Sequence, residues 1–141
     1  MRRLARASLL ATLVGCHHAS APDDDRPRTL ALVDQRYSVQ PAVWVPMTAH
    51  VGVPIDVDVA IIAGEGCDRF DDADVAVAGL VATVTPYVVE AAPCGHRAPF
   101  DVRTFPVRFD RAGDAVVRVR VRAADQGGAE VLLERAVTVT R

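Results

Sequence analysis

The chain has 141 residues, of which 16 are basic and 18 are acidic, and its formal net charge is −2. Every basic residue is an arginine, and valine is abundant while aromatic residues are few. This length suits one domain. The lack of a basic excess argues against general nucleic-acid binding, which needs a basic face. Valine favours β-strands because its branched Cβ stiffens χ1 and suits a pleated surface.

The first 16 residues have the layout of an export signal. A basic start containing Arg2, Arg3 and Arg6 precedes a short apolar run over residues 7–14, and a small residue then precedes Cys16. The apolar run has eight residues, and a transmembrane helix needs about 20. The segment is therefore predicted to be a signal peptide and not a transmembrane anchor.

The four residues Leu13-Val14-Gly15-Cys16 resemble the lipobox of bacterial lipoproteins. The resemblance implies that the signal peptide is residues 1–15, that the Cys16 thiol carries diacylglycerol and that the new amino group is acylated. Several acyl chains give durable anchoring. Because His17 stands where this family often has an inner-membrane retention Asp, the resemblance implies an outer-membrane location, facing the periplasm or the cell surface. An ordinary secretory signal with an incidental cysteine is the alternative.

Removal of residues 1–15 would leave 13 basic residues against 18 acidic ones, a net charge of −5. Residues 16–29 are polar, include a run of three aspartates and two prolines, and have no apolar period. This composition predicts a flexible tether between the lipidated Cys16 and a folded domain over residues 30–141.

The domain sequence consists of short alternating apolar runs separated by turn residues. In the clearest run, Ala115 to Ala123, valines alternate with arginines, and in another, Val53 shares one predicted face with Ile55, Val57, Val59 and Ile61. About seven such strands at regular spacing predict an all-β, antiparallel Greek-key β-sandwich. The predicted strands are 37–45, 51–62, 74–78, 80–89, 100–109, 115–123 and 130–140.

The segment FDRAGDAVVRVRVRA, residues 109–123, resembles the penultimate strand region of bacterial immunoglobulin-like and fibronectin-III-like domains. This resemblance implies an immunoglobulin-like sandwich. The chain departs from the usual pattern because Trp44 precedes both domain cysteines instead of lying between them. A jelly-roll or another Greek-key sandwich is the alternative.

Cys67 and Cys94 are the remaining cysteines, and an exported chain meets an oxidising compartment in which two thiols tend to pair. They flank the predicted strands 74–78 and 80–89. A hairpin of these strands would bring both cysteines to the same side, where a structural disulfide is easy to form. A redox or metal-binding role is the alternative, although no CxxC motif supports it.

The residues after Cys67 are crowded with carboxylates, which suggests either a solvated acidic loop or a calcium or small-ligand site. Calcium needs six to eight oxygen ligands, and the spacing here is not that of an EF-hand loop. The candidate ligands are Asp68, Asp71, Asp72 and Asp74.

Three arginines, Arg118, Arg120 and Arg122, share one face of the penultimate predicted strand. Such a row attracts carboxylates, either from a neighbouring strand, for example Glu134, or from a ligand. We expect a solvated face with cross-strand partners. If the face is free, it is the candidate surface for an anionic ligand or a protein partner.

The sequence contains no G-x-S-x-G, H-E-x-x-H or phosphate-loop motif, and its histidines are scattered. We therefore expect no enzyme and no cofactor. The predicted function is that of an envelope lipoprotein whose sandwich is a non-enzymatic binding or structural module, for example an accessory subunit of an envelope assembly. Its expected partners are the membrane, through the N-terminal lipid, and an envelope protein. A calcium- or small-ligand-binding lipoprotein is the alternative.

Overall fold

The computed structural model describes residues 27–36, 41–62, 68–90 and 100–141. The predictions for Cys16, Cys67 and Cys94 lie outside these residues. The described residues form ten strands and one 3₁₀ turn, Ala124–Gln126, so the predicted all-β class is confirmed. The strands are β1 (Thr29–Leu30), β2 (Leu32–Val33), β3 (Val43–Trp44), β4 (Thr48–His50), β5 (Ile55–Ile62), β6 (Asp68–Ala78), β7 (Val81–Glu90), β8 (Phe100–Val107), β9 (Gly113–Ala123) and β10 (Ala129–Thr140).

The larger of two sheets has seven strands and is mixed. Its order is β1-β7-β9-β10-β4, with β6 on the other edge of β7 and β2 on β9. Three of its pairings are parallel: β7 with β9, β2 with β9, and β10 with β4. The prediction of a purely antiparallel sandwich is therefore wrong. Side-chain alternation sets which face of a strand is buried, whereas the direction of its neighbour depends on the connections.

The smaller sheet has the order β3-β5-β8 and is antiparallel. Its inner face packs against that of the larger sheet in one core, as in a β-sandwich. Val57 and Val59 of β5 and Val119 of β9 are fully buried there. Val53 does not join them, as the alternation had predicted, because β5 begins at Ile55 and Val53 is 53% exposed in the turn before it.

The β6–β7 hairpin is longer than the sequence suggested. Its turn contains Gly79 with φ +64°, a left-handed conformation that glycine adopts without strain, and the Arg111 guanidinium fills the space of a Cβ there. Strand β6 begins at Asp68, whereas the sequence placed its start at Asp74. The stretch predicted as an acidic loop is therefore strand, with a register irregularity between Phe70 and Asp72.

The start of the described chain is part of the sheet. Ala31 donates its N–H to Pro86 O of β7 and accepts from Arg122 N of β9, both at 2.9 Å. Strands β1 and β2, which the alternation did not predict, thus lie between β7 and β9 where those strands separate. Within the described ranges, no helix is long and apolar enough to cross a membrane.

Candidate binding surfaces on the two sheets

The three predicted arginines lie on the outer face of the larger sheet and have partners inside the domain. Arg118 Nε is 2.8 Å from Glu134 Oε1, the partner that the sequence suggested, and these residues are opposite each other in the β9–β10 register. Arg120 Nε is 2.6 Å from Glu130 Oε1. The hydrogen bond and the charge of Glu130 raise the pKa of Arg120, which stays protonated.

The third arginine of the row, Arg122, contacts the N-terminal strand β1. Arg122 Nε donates to the Leu30 carbonyl of β1 at 2.9 Å. The row is thus committed to intramolecular contacts. An anionic ligand would have to compete with the carboxylates that already pair with Arg118 and Arg120, so these three arginines do not form a free cationic site.

Three of the four aspartates of β6 have separate partners, and the fourth, Asp68, is opposite Glu90 in the β6–β7 register. Asp71 Oδ2 is 2.7 Å from Arg28 Nε, and Asp72 Oδ1 accepts from the N–H of Ala73 at 2.8 Å. Asp74 Oδ2 accepts from the Tyr87 hydroxyl at 3.0 Å. Among the described residues, no three His, Cys, Asp or Glu side chains converge as a metal site would require.

Tyr87 connects these acidic side chains to the arginine row. The hydrogen bond to Asp74 is the main reason that the pKa of Tyr87 is raised above 10.0, with desolvation and the charge of Asp74 adding to it. Arg120 and Arg28 lie near enough to oppose the shift. The outer face of the larger sheet therefore carries the ion pairs Arg118–Glu134 and Arg120–Glu130 and the hydrogen bond from Tyr87 to Asp74.

The outer face of the smaller sheet is different in character. In the β3–β5–β8 register, Trp44 is opposite Asp58, and Ala60 is opposite Val102. Trp44 is 51% exposed and Val102 is 60% exposed. The β5–β8 register places Ile62, Phe100 and Pro106 on the same face. Ala60 is small and lies beside Val102, and Trp44 of the neighbouring strand β3 is displaced from Ala60 by two residues in the register, so this part of the face is apolar.

Charge on this face is confined to the central strand β5. Asp56 and Asp58 are the only charged residues that the described strands β3, β5 and β8 direct to it. Asp58 Oδ1 accepts from Thr104 Oγ1 at 2.6 Å, and Asp56 is the carboxylate of this face that has no hydrogen-bond or ion-pair partner among the described residues. Sequence reasoning missed this surface. Trp44 is the only tryptophan of the chain, and its exposure, which marks this surface, became known only from the fold.

Two arginines close the lateral openings between the sheets. At one edge, Arg103 of β8 lies with its Cζ 4.8 Å from the centre of the Phe70 ring of β6, while its Nε and Nη2 contact Asp101 Oδ2 at 2.9 and 2.6 Å. At the other edge, Arg135 of β10 donates through Nε to the Val43 carbonyl of β3 at 3.2 Å. These arginines hold the two sheets together and are not candidate ligand-binding groups.

Comparison of the chain with protein-family models, with curated proteins and with solved structures finds no match.

Proposed function

We propose that the chain is a lipid-anchored envelope protein whose sandwich is a non-enzymatic protein-binding module, and that the outer face of the smaller sheet binds the partner. The observation that carries the proposal is the contrast between the two outer faces. One carries paired charges with exposed Leu132 among them, and the other exposes Trp44 and Val102 beside small Ala60.

This contrast matters because burying each face against a partner would cost a different desolvation free energy. Contiguous exposed apolar surface on a soluble domain is typical of protein-binding sites, and interface centres are enriched in aromatic residues and depleted of charge. Burial of the larger sheet's outer face would instead desolvate several ion pairs, and their mutual attraction only partly offsets that cost.

The charges on this face indicate what kind of partner fits. Asp56 and Asp58 of the central strand β5 are the only charged residues that the described strands β3, β5 and β8 direct to it, and both are negative. A complementary surface has an apolar part against Trp44 and Val102 and an Arg or Lys against these aspartates, because opposite potentials across an interface guide association. The partner is thus a protein with an apolar patch next to a cationic group.

We infer that the sandwich is a variant of the immunoglobulin-like Greek key. The order β3-β5-β8 corresponds to strands A, B and E of that fold, and the hairpin β9–β10 corresponds to F and G. The variation lies next to β9, where β7 runs parallel. The proposed N-terminal anchor rests on the lipobox-like residues that end at Cys16 and on the polar segment that follows them.

The anchor is tested by cell fractionation. Cys16→Ala should move the protein from the washed envelope fraction to the soluble fraction and abolish incorporation of labelled fatty acid. Retention of the variant in washed membranes would contradict lipid anchoring while leaving the binding face untouched.

The binding face is tested by site-specific photocross-linking in intact envelopes. A photoreactive residue at position 44 or 102 should form an adduct with one discrete protein. The same residue at position 132, an exposed leucine on the outer face of the larger sheet, is the matched control. Asp56→Lys should reduce the adduct. Equal adducts at all three positions, or none at 44 and 102, would contradict the proposal.

A further inference from the structure

Strand β6 forms one edge of the larger sheet. It pairs with β7 along one side, and among the described residues no strand pairs with its other side. An open edge of this length offers a row of backbone donors and acceptors to another strand, and proteins normally block such edges with charges, proline, bulges or a covering segment.

The two halves of β6 differ in this respect. The first half carries aspartates and the irregularity between Phe70 and Asp72. The second half, Val75 to Ala78, has no charge, no proline and no irregularity in its pairing. Val75 and Val77 are 41% and 42% exposed, although they face the same side of the sheet as buried Val84 and Ala82 of β7.

We propose that the Val75–Ala78 edge of β6 pairs antiparallel with the same edge of a second copy of this chain, with Ala76 opposite Ala76. A two-fold axis perpendicular to the sheet is the symmetry that makes a strand its own partner. The larger sheets of the two copies would then form one continuous sheet. This interaction does not involve the surface around Trp44, which is on the smaller sheet.

Charge disfavours several alternative registers and is compatible with this one. With Ala76 at the centre, Val75 is opposite Val77 of the second copy, and Asp74 is opposite Ala78. A register centred on Asp74 sets this aspartate against itself, and one centred on Ala73 sets Asp72 against Asp74. Parallel in-register pairing also aligns Asp74 with itself. Like charges directly opposite each other destabilise a strand pair.

Packing favours the same register. Val75 and Val77 of both copies would meet on the face that continues the core side of the sheet, so each covers the exposed part of the others. Asp74 is opposite uncharged Ala78 at each end of the paired stretch, and Asp68, Asp71 and Asp72 lie beyond it. They limit the pairing to a short stretch, so two copies join and further strands do not add along the edge.

The test is cysteine cross-linking in the full chain. Ala76→Cys places a thiol at the two-fold axis, and mild oxidation should give a dimer that reductant reverses. Ala136→Cys is the matched control, since it is the same substitution at an exposed position on the outer face of β10. The unmodified chain reports any dimer formed through its native cysteines.

Charge substitutions in the Ala76→Cys background test the register. Val75→Lys with Val77→Lys sets like charges opposite each other and should abolish the dimer. Val75→Asp with Val77→Lys sets opposite charges there and should restore it. Both positions are exposed, and a urea melt of each variant shows that it folds.

Three results would overturn the proposal. They are a monomeric Ala76→Cys chain, equal cross-linking of Ala136→Cys, and insensitivity of the dimer to the lysine pair. Failure of the Asp–Lys pair to restore the dimer would overturn the register. A heteromeric adduct at position 76 would show that a different protein binds this edge, and it would contradict pairing with a second copy of the chain.

Discussion

Arg103 of β8 lies over the ring of Phe70 of β6, with its Cζ 4.8 Å from the ring centre, and this contact joins the two sheets at their open edge. Phe70 also lies 5.8 Å from Phe105, ring centre to ring centre, and Phe105 is in the core. The Arg103 side chain thus covers an aromatic pair that water would otherwise reach.

A double-mutant cycle should detect this contact. Phe70→Leu keeps an apolar side chain and Arg103→Gln removes the charge, so the coupling free energy should be about 0.5–1 kcal/mol, the range of a partly exposed cation–π pair. Urea denaturation measures it. Phe70→Leu combined with Val102→Ala should be additive, because Val102 faces the other side of β8. Zero coupling between Phe70 and Arg103 would show that the contact contributes no stability.

The difference between Val57 and Val53 gives a second prediction. Val57 is fully buried between the sheets, and Val57→Ala should lower the free energy of unfolding by about 2–3 kcal/mol through lost burial and a residual cavity. Val53→Ala, an identical change at an exposed position of the preceding turn, should stay within about 0.5 kcal/mol. Equal losses measured in urea would place Val53 in the core.

The β6–β7 hairpin sharpens the disulfide prediction. Asp68 and Glu90 are opposite each other in its register. Cys67 directly precedes Asp68, and Cys94 is four residues beyond Glu90. A disulfide here closes a loop of 28 residues, and its loss should cost about 3–4 kcal/mol in the chain-entropy model.

Cys67→Ser, Cys94→Ser and the double variant should therefore be destabilised equally in urea, while Cys16→Ser should match the parent. Labelling of the denatured, unreduced chain should find no free thiol at positions 67 and 94. Unequal losses, or reactive thiols at those positions, would contradict the pairing.

The hydrogen bond from Tyr87 to Asp74 predicts a pH dependence. The pKa of Tyr87 is raised in the folded state from 10.0, so the folded protein keeps this proton at pH values where the unfolded chain loses it. The stabilisation is fully present below about pH 10 and is lost as pH rises through the folded-state pKa. Ultraviolet titration of a Tyr37→Phe chain isolates Tyr87. Asp74→Asn should lower its pKa towards 10.0, and Asp56→Asn on the other sheet should leave it unchanged.

Calcium is expected to leave the melting temperature unchanged. Asp71 is paired with Arg28 and Asp74 with Tyr87, so the carboxylates of β6 do not converge on one ion. A ligand that binds the native state raises the melting temperature by mass action. A rise with calcium that EDTA reverses and Asp71→Asn abolishes would support the calcium-binding alternative.

Alternation of small apolar and polar residues predicted most of the long strands. Ile55, Val57 and Val59 alternate with polar residues, and so do the valines of β9, because residues two apart on a strand share a face. The same rule put Val53 in the core, since alternation does not say where a strand begins. The two-residue strands β1 and β2 are too short to show any period, and β3 is a two-residue part of the predicted strand 37–45. The pairing of all three depends on β5, β7 and β9, which lie elsewhere in the sequence.

By itself, the sequence determined the all-β class and most of the inward-facing valines, and it indicated the β6–β7 hairpin and the candidate lipidation residue Cys16, because these follow from local pattern and motif. Only the tertiary structure decided the parallel pairings of β7 with β9 and β4 with β10. It also decided that the arginine row is already neutralised and that Trp44 is exposed. These properties depend on which distant strand becomes a neighbour. A neighbouring strand can supply a carboxylate to an arginine or leave a tryptophan exposed, and the local sequence does not indicate which will happen.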